Sequence, residues 1–168
     1  GTITAVAAGT SDERVLYAGT DDGRLWTSKD LGGTWTRMSD PDLPATWVTR
    51  VAVDSRDAAV AYASFSGFRN GADTAHLVRT KDGGVTWDNI SVGLPSAPVN
   101  DVVLIGDDLV VATDVGVFLS RNAGASWLQL GANLPLAPVL DVRYHAPTGT
   151  LTAATFGRSV WRIDYPEG

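Results

Sequence analysis

Cysteine is absent from this chain of 168 residues, so disulfide bonds and thiolate metal sites are excluded. No segment approaches the roughly 18 consecutive apolar residues of a membrane-spanning helix. A signal-peptide pattern is also missing, and the sequence opens directly on strand-like residues, as expected of a mature or trimmed chain. These absences predict a protein without a membrane span and without thiolate chemistry.

Glutamate and lysine are scarce, with two Glu against seventeen Asp and two Lys against eleven Arg. Helical proteins usually contain far more Glu and Lys, whereas Asp favours turns. The formal net charge is −6 and no basic stripe is present, so nucleic acid is not an expected partner. Eighteen Gly and eight Pro are spread along the chain, which predicts many short strands joined by tight turns.

An eight-residue pattern, Ser/Thr-x-Asp/Asn-x-Gly-x-Thr/Ser-Trp, occurs three times. The first copy contains Ser28, Asp30, Gly32, Thr34 and Trp35; the second contains Thr80, Asp82, Gly84, Thr86 and Trp87; the third contains Ser120, Asn122, Gly124, Ser126 and Trp127. Glycine suits positive φ, Asp or Asn accepts turn N–H groups, and tryptophan covers the hairpin with apolar surface. Catalysis or calcium binding would be the functional interpretation. A catalytic group is needed once rather than three times, so a self-satisfied structural turn is favoured.

Each copy of the pattern lies inside a longer repeat of four short antiparallel strands. Such sheets bury both faces by stacking radially about an axis, which predicts an all-β fold, a β-propeller of four-stranded antiparallel blades. We expect one domain, 1–168, with blades at about 1–42, 43–93, 94–133 and 134–168, and fifteen strands in all. The fourth blade lacks its outer strand, so a partial ring, or a ring completed by other residues or by another copy, is expected.

These repeats resemble the Asp-box (BNR-repeat) β-propellers, a family that includes sialidases, xyloglucan-active endoglucanases and sortilin-type receptors. The ending Thr155-Phe156-Gly157-Arg158-Ser159-Val160-Trp161 is similar to the last blade of bacterial secreted members. The resemblance implies a secreted or periplasmic location. It does not imply a complete sialidase site, because the Phe/Tyr-Arg-Ile-Pro segment is missing and Glu13 and Glu167 are the only Glu residues.

Three charged residues occupy one position of the innermost strands in successive blades: Arg50, Asp101 and Asp141. Propeller ligands usually bind near the central axis, where these strands converge. The two carboxylates beside an arginine could act in general acid/base hydrolysis of a glycoside. They could equally form an ion-pair network that lines the channel, and this second interpretation is favoured.

The second blade carries an insertion, 66–74, that extends a hairpin. Its Phe68, Arg69 and Asn70 are candidate contacts for a sugar or a protein loop, with a solvated loop as the alternative. His76 and His145 are isolated, and no His/Asp/Glu cluster has metal-ligand spacing, so no metal and no cofactor are expected.

Three functions remain open at this point. The first is a non-catalytic scaffold or binding module for a glycan or a protein. The second is part of a secreted sialidase-like or xyloglucanase-like glycoside hydrolase whose site is completed by missing blades. The third is a fragment that assembles with copies of itself into a larger ring, because unpaired edges and apolar faces favour association.

Overall fold

The computed structural model describes residues 1–38, 43–67, 77–131 and 133–165. These residues form fifteen strands and one short 3₁₀ helix, Ala146–Thr148. The strands make four antiparallel sheets in sequence order, three of four strands and a last one of three. The predicted all-β architecture of about four propeller blades, the last without its outer strand, is therefore confirmed.

The chain divides into two compact units, residues 1–91 and 92–168. Unit 1 contains blade 1, made of β1 (Ile3–Ala8), β2 (Leu16–Thr20), β3 (Leu25–Ser28) and β4 (Thr36–Arg37). It also contains blade 2, made of β5 (Trp47–Val53), β6 (Ala61–Ser66), β7 (Leu77–Thr80) and β8 (Asp88–Asn89).

Unit 2 repeats this plan. Blade 3 consists of β9 (Val99–Ile105), β10 (Asp108–Thr113), β11 (Gly116–Ser120) and β12 (Leu128–Leu130). Blade 4 consists of β13 (Val139–His145), β14 (Thr150–Thr155) and β15 (Val160–Asp164). In every blade the strands pair in chain order, so each connection between neighbours in the sheet is a hairpin.

The core of unit 1 lies between its two blades. One face of blade 1 contributes Tyr17 and Leu25, which belong to the same buried cluster as Val51, Phe65 and Trp87 of blade 2. The Tyr17 hydroxyl donates to the Ala58 carbonyl oxygen at 2.8 Å, and burial, with the charges of Asp57 and Asp82, raises the pKa of Tyr17 to about 12. The alternation of apolar residues along short strands thus produces two sheets packed face to face.

Glycine permits the close approach of these two sheets. A Cβ added to Gly19 on β2 would collide with the Val48 side chain of β5, which is fully buried. Any larger residue at this position would force the blades of unit 1 apart.

Unit 2 has an equivalent core. Val110, Ala112 and Leu119 of blade 3 belong to one buried cluster with Val142 and Leu151 of blade 4. Tyr165, just after β15, closes this cluster, and its hydroxyl donates to the Asp108 carboxylate at the start of β10. Tyr165 is thereby fixed to blade 3.

Every innermost strand contains an irregularity at the same repeat position. The pairing register between the first two strands of each blade shifts across one residue: Thr4, Thr49, Asn100 and Leu140. A β-bulge of this kind turns one extra side chain out of the regular alternation. It determines what the following residue can contact, and in blades 2, 3 and 4 that residue is Arg50, Asp101 or Asp141.

Candidate functional site

The repeated turn, residues 28–35 and 80–87 in unit 1, closes on itself through a common set of hydrogen bonds. The Ser28 hydroxyl donates to the Asp30 carboxylate at 2.7 Å and accepts the Gly32 N–H at 2.8 Å. The Thr34 N–H and hydroxyl both donate to the Asp30 carboxylate, at 2.8 and 2.7 Å. The second turn repeats these four bonds at 2.6–2.9 Å, with Asp82 as acceptor.

Glycine is required in these turns by backbone conformation. Gly32 and Gly84 have φ values of 87° and 91°, a region that side chains with a Cβ rarely adopt. The carboxylates beside them are stabilised in their charged form. Hydrogen bonds from the hydroxyl and the N–H of Thr86 lower the pKa of the Asp82 carboxyl from 3.8 to about 2. Hydrogen bonds from Thr34, first its N–H, lower the pKa of Asp30.

The third turn, in unit 2, achieves the same geometry with an amide. Asn122 Oδ1 accepts the Ser120 hydroxyl and the Ser126 N–H, both at 2.9 Å. Its Nδ2 donates to the Ser126 hydroxyl oxygen at 2.8 Å, so the direction of this last bond is reversed relative to the Asp turns. Because Asp in two turns and Asn in the third accept the same hydrogen bonds, this position needs a hydrogen-bond acceptor and does not need a negative charge. Its role in the turn is therefore structural.

Asp101, one of the three charged candidates, is buried at the inner edge of unit 2. Its Oδ1 accepts the Val102 N–H at 2.9 Å, and its Oδ2 accepts the Val142 N–H of β13 at 3.0 Å. The carboxylate therefore joins the innermost strands of blades 3 and 4. Two backbone donors depend on it for their hydrogen bonds.

Asp141, the next candidate, is partly exposed and forms a bidentate ion pair with Arg143 on the same strand. The two N–O distances are 2.7 and 2.8 Å. This hydrogen bonding raises the pKa of Arg143, and the charge of Asp101 contributes to the same shift. The structure thus adds Arg143 to the group formed by Asp101 and Asp141. Arg50 occupies the equivalent position on β5, in the other unit, where it is half-buried and pairs with Ser64.

Sequence reasoning missed Arg143, although a signal was present. The spacing Asp-x-Arg occurs four times as an ion pair, at Asp12–Arg14, Asp22–Arg24, Asp54–Arg56 and Asp141–Arg143. In the pair Asp141–Arg143 on β13, this spacing puts both side chains on one face of the strand, because residues two apart point the same way. Most of these pairs are exposed and contribute little to stability.

A second group of exposed side chains lies where blades are connected. We call this the connector end of a blade: the end where the chain enters the first strand and where the hairpin between the second and third strands lies. Trp47, which opens β5, is exposed and pairs with Ser66 at the end of β6. Its position follows directly from the antiparallel register.

In unit 2 the connector end of blade 4 presents Phe156 and Arg158, both exposed. The Phe156 N–H donates to the Pro138 carbonyl oxygen at 2.8 Å, and the Trp161 Nε1–H donates to the Arg158 carbonyl oxygen at 2.7 Å. These two hydrogen bonds hold the hairpin against the connector, while the aromatic ring of Phe156 is exposed to solvent. The predicted binding residues Phe68, Arg69 and Asn70 lie outside the described residues.

Among the described residues, no group of three or more His, Cys, Asp or Glu side chains is placed to hold a metal ion. Within the same part of the chain, no helix has the length and apolar character that crossing a membrane requires. His145, on β13, contacts the hydroxyl of Thr148 at 2.8 Å.

No protein-family model matches the chain. A xyloglucanase of a Paenibacillus species is 31% identical over an alignment of 93 residues, and the match covers 46% of this chain and 9% of that protein. An ancestral GH74 enzyme superimposes with a TM-score of 0.79 at 15% identity, over 98% of this chain and 23% of the enzyme. The computationally designed protein Ika4 superimposes with a TM-score of 0.72 at 12% identity, over 98% of this chain and 92% of that protein.

The chain thus spans less than a tenth of the xyloglucanase and about a quarter of the GH74 enzyme. At these identities the structural likenesses concern the fold, since one fold serves many functions. Together with the sheet topology, they establish that these sheets are blades of a β-propeller.

Proposed function

We propose that this chain is a set of Asp-box propeller blades that acts, without chemistry of its own, as a scaffold and glycan-binding module. The observation that carries the proposal is a contrast between the carboxylates and the exposed aromatic side chains. Asp101 accepts hydrogen bonds from two backbone N–H groups, and Asp30 and Asp82 each accept hydrogen bonds within their own turns, so these carboxylates have structural partners. Aromatic side chains are instead exposed at the connector ends.

The Asp-box assignment is supported by the three turns. Each uses a Ser or Thr hydroxyl, an Asp or Asn acceptor and a glycine with φ near 90°. The hydrogen bonds match the roles that the residue pattern requires. Three copies of one turn in successive blades are the sequence signature of a repeat architecture rather than of a single active site.

The ligand class follows from the exposed groups. Trp47 and Phe156 offer flat apolar faces on which sugar rings can stack, and Arg158 offers hydrogen-bond donors for hydroxyl groups. The 31% identity with a xyloglucanase makes xyloglucan the glycan of choice for testing. A secreted location is part of this proposal, because the protein would encounter such a polysaccharide outside the cell.

Affinity electrophoresis in gels that contain xyloglucan tests the proposal. We expect the wild-type chain to be retarded, and Trp47→Ala and Phe156→Ala to weaken binding by about 5- to 30-fold each, the effect of removing an aromatic anchor. Leu128→Ala is the control, because Leu128 is an exposed apolar side chain, with an exposed fraction of 66%, on the outer strand β12 and away from the connector end of its blade. Retardation that depends on Leu128 and not on Trp47 would contradict the assignment of the site.

The second candidate function is a segment of a secreted xyloglucan hydrolase, which the xyloglucanase match favours. In that case Asp141, which is partly exposed and held by Arg143, is the carboxylate available for acid/base chemistry. Because missing blades would complete such a site, the test uses a longer protein that contains these blades: release of reducing sugar from xyloglucan, lost in Asp141→Asn, would establish this function and exclude the non-catalytic module. Binding by that longer protein without release of reducing sugar supports the module.

A further inference from the structure

The outward face of blade 1, the face turned away from blade 2, exposes several large apolar side chains. Val6, Ala18 and Trp26 are cross-strand partners in one row of this face, which ends at Arg37 of β4, and Ile3 and Trp35 extend it. Together they border an open cavity of about 350 Å³. Clusters of exposed large apolar side chains are uncommon on soluble proteins and mark interaction surfaces.

The repeat shows that the equivalent face of blade 2 is covered by another sheet. Val6 corresponds to Val51 of blade 2, yet 61% of Val6 is exposed and only 3% of Val51. Trp35 corresponds to Trp87, and the exposed fractions are 39% and 8%. In unit 1 the covering surface of Val51 and Trp87 is the other face of blade 1. Blade 1 therefore presents a surface built for sheet-on-sheet packing.

The outward face of blade 4, turned away from blade 3, has the opposite character. Its cross-strand rows are Asp141–Ala154–Val160, Arg143–Thr152–Arg162 and His145–Thr150–Asp164. Burying these charged side chains against an apolar sheet would carry a desolvation cost without compensating partners. The outward face of blade 4 is thus largely polar, and it does not complement the apolar side chains of blade 1.

The charges at the rim of the blade 1 face fit a copy of the same face. Asp22 and Arg24 border the cavity and form an ion pair at 3.0 Å. A contact between identical surfaces must be self-complementary, so that each residue meets its counterpart through a two-fold axis. One acid and one base at the edge of an apolar centre satisfy this condition, since an exchange of partners across the two-fold axis would keep both charges paired.

We propose that the outward face of blade 1 binds the same face of a second copy of this chain. Strands spaced about 4.8 Å apart and roughly five residues long give a face of about 300 Å². Two such faces in contact bury on the order of 600–800 Å², below the roughly 1,200 Å² of standard complexes. The dimer is therefore weak and reversible, with a dissociation constant on the order of 10 µM to 1 mM.

Sedimentation velocity over a wide range of concentrations is the first test. The wild-type chain is expected to shift from monomer to dimer as concentration rises, and Val6→Lys is expected to remain a monomer throughout. Val160→Lys is the matched control, because Val160 is a strand valine of similar exposure, 66%, on the outward face of blade 4. Circular dichroism and thermal melting verify that both variants fold. A wild-type monomer at every concentration overturns the proposal and leaves the face to another blade or partner.

Cross-linking distinguishes the two ways in which copies could join. Because the chain has no cysteine, Val6→Cys introduces a single thiol. A short bifunctional maleimide is expected to cross-link Val6→Cys chains to one another, and Val160→Cys chains are expected to stay uncross-linked. If cross-links form only in a mixture of the two variants, the copies join head to tail and the face-to-face dimer is wrong.

Discussion

The two units use different side chains to bond the innermost strand of one blade to the innermost strand of the next. In unit 1 the Thr4 hydroxyl, at the bulge of the innermost strand, donates to the Val48 carbonyl oxygen of the next blade at 2.6 Å. In unit 2 the Asn100 amide, at the same repeat position, donates to the Val139 carbonyl oxygen at 2.9 Å. Unit 2 adds the Asp101 carboxylate, where unit 1 has Ala5.

This difference shows which part of the junction the repeat requires. Both units need a donor at the bulge, because the carbonyl at the start of the next innermost strand must be satisfied. In blade 4 the bulge residue is Leu140, an apolar side chain that is exposed. The carboxylate of Asp101 is an addition in unit 2. Its effect can be measured separately from that of the bulge donor.

Removal of the Asp101 carboxylate is expected to have the largest effect. Asp101→Ala leaves the N–H groups of Val102 and Val142 without their acceptor, which costs about 1–3 kcal/mol for each donor. We expect the free energy of unfolding, measured in urea, to fall by about 2–5 kcal/mol. Asp141→Ala, which removes a partly exposed ion pair, is the control and should cost at most about 1 kcal/mol. Equal effects of the two substitutions would refute the role of Asp101 as a link between strands.

Removal of the bulge donor in unit 1 is expected to have a smaller effect. Thr4→Val keeps the shape of the side chain and deletes the hydroxyl that donates to Val48. A single neutral hydrogen bond contributes about 0.5–1.5 kcal/mol, so the free energy of unfolding should fall by that amount. Thr4→Ser, which retains the hydroxyl, should lose less. If both variants lose the same amount, packing rather than hydrogen bonding explains the position.

The smallest expected effect is on how the free energy of unfolding depends on pH. It distinguishes the Asp turns of unit 1 from the Asn turn of unit 2. A carboxyl whose folded pKa is lowered stabilises the fold above its unfolded value, and this contribution is lost as pH falls through the folded pKa. For Asp82 that window runs from 3.8 down to about 2. Asp30 shifts in the same direction. Asp30→Asn/Asp82→Asn should therefore flatten the loss of stability with acid, as measured by urea unfolding at a series of pH values.

The reverse substitution in unit 2 is the control for this comparison. Asn122→Asp should leave stability near neutral pH almost unchanged and introduce a new loss in the same acidic window. The Ser126 hydroxyl, which now accepts from Asn122, can rotate to donate to a carboxylate. An unchanged acid profile in both variants would mean that the turn carboxylates titrate alike in the folded and unfolded chains.

Much of the fold follows from local pattern. The turn residues and the repeat of short strands predicted fifteen strands in four blades, the last without its outer strand, and the described residues have this arrangement. The signals are local because a turn such as 28–35 satisfies its polar groups within eight residues. The roles of Arg50, Asp101 and Asp141 as a site remain a prediction, and so do those of Phe68, Arg69 and Asn70.

By itself, the sequence determined the repeat, the chemistry of its turns and the number of blades, because these depend on contacts between residues close in the chain. Only the tertiary structure decided that Asp101 bonds to a backbone donor 41 residues away. It also decided that the row headed by Val6 is open while its counterpart at Val51 is covered. The physical reason is that hydrogen bonding and burial depend on what lies opposite a residue, and that neighbour is brought there by the stacking of sheets.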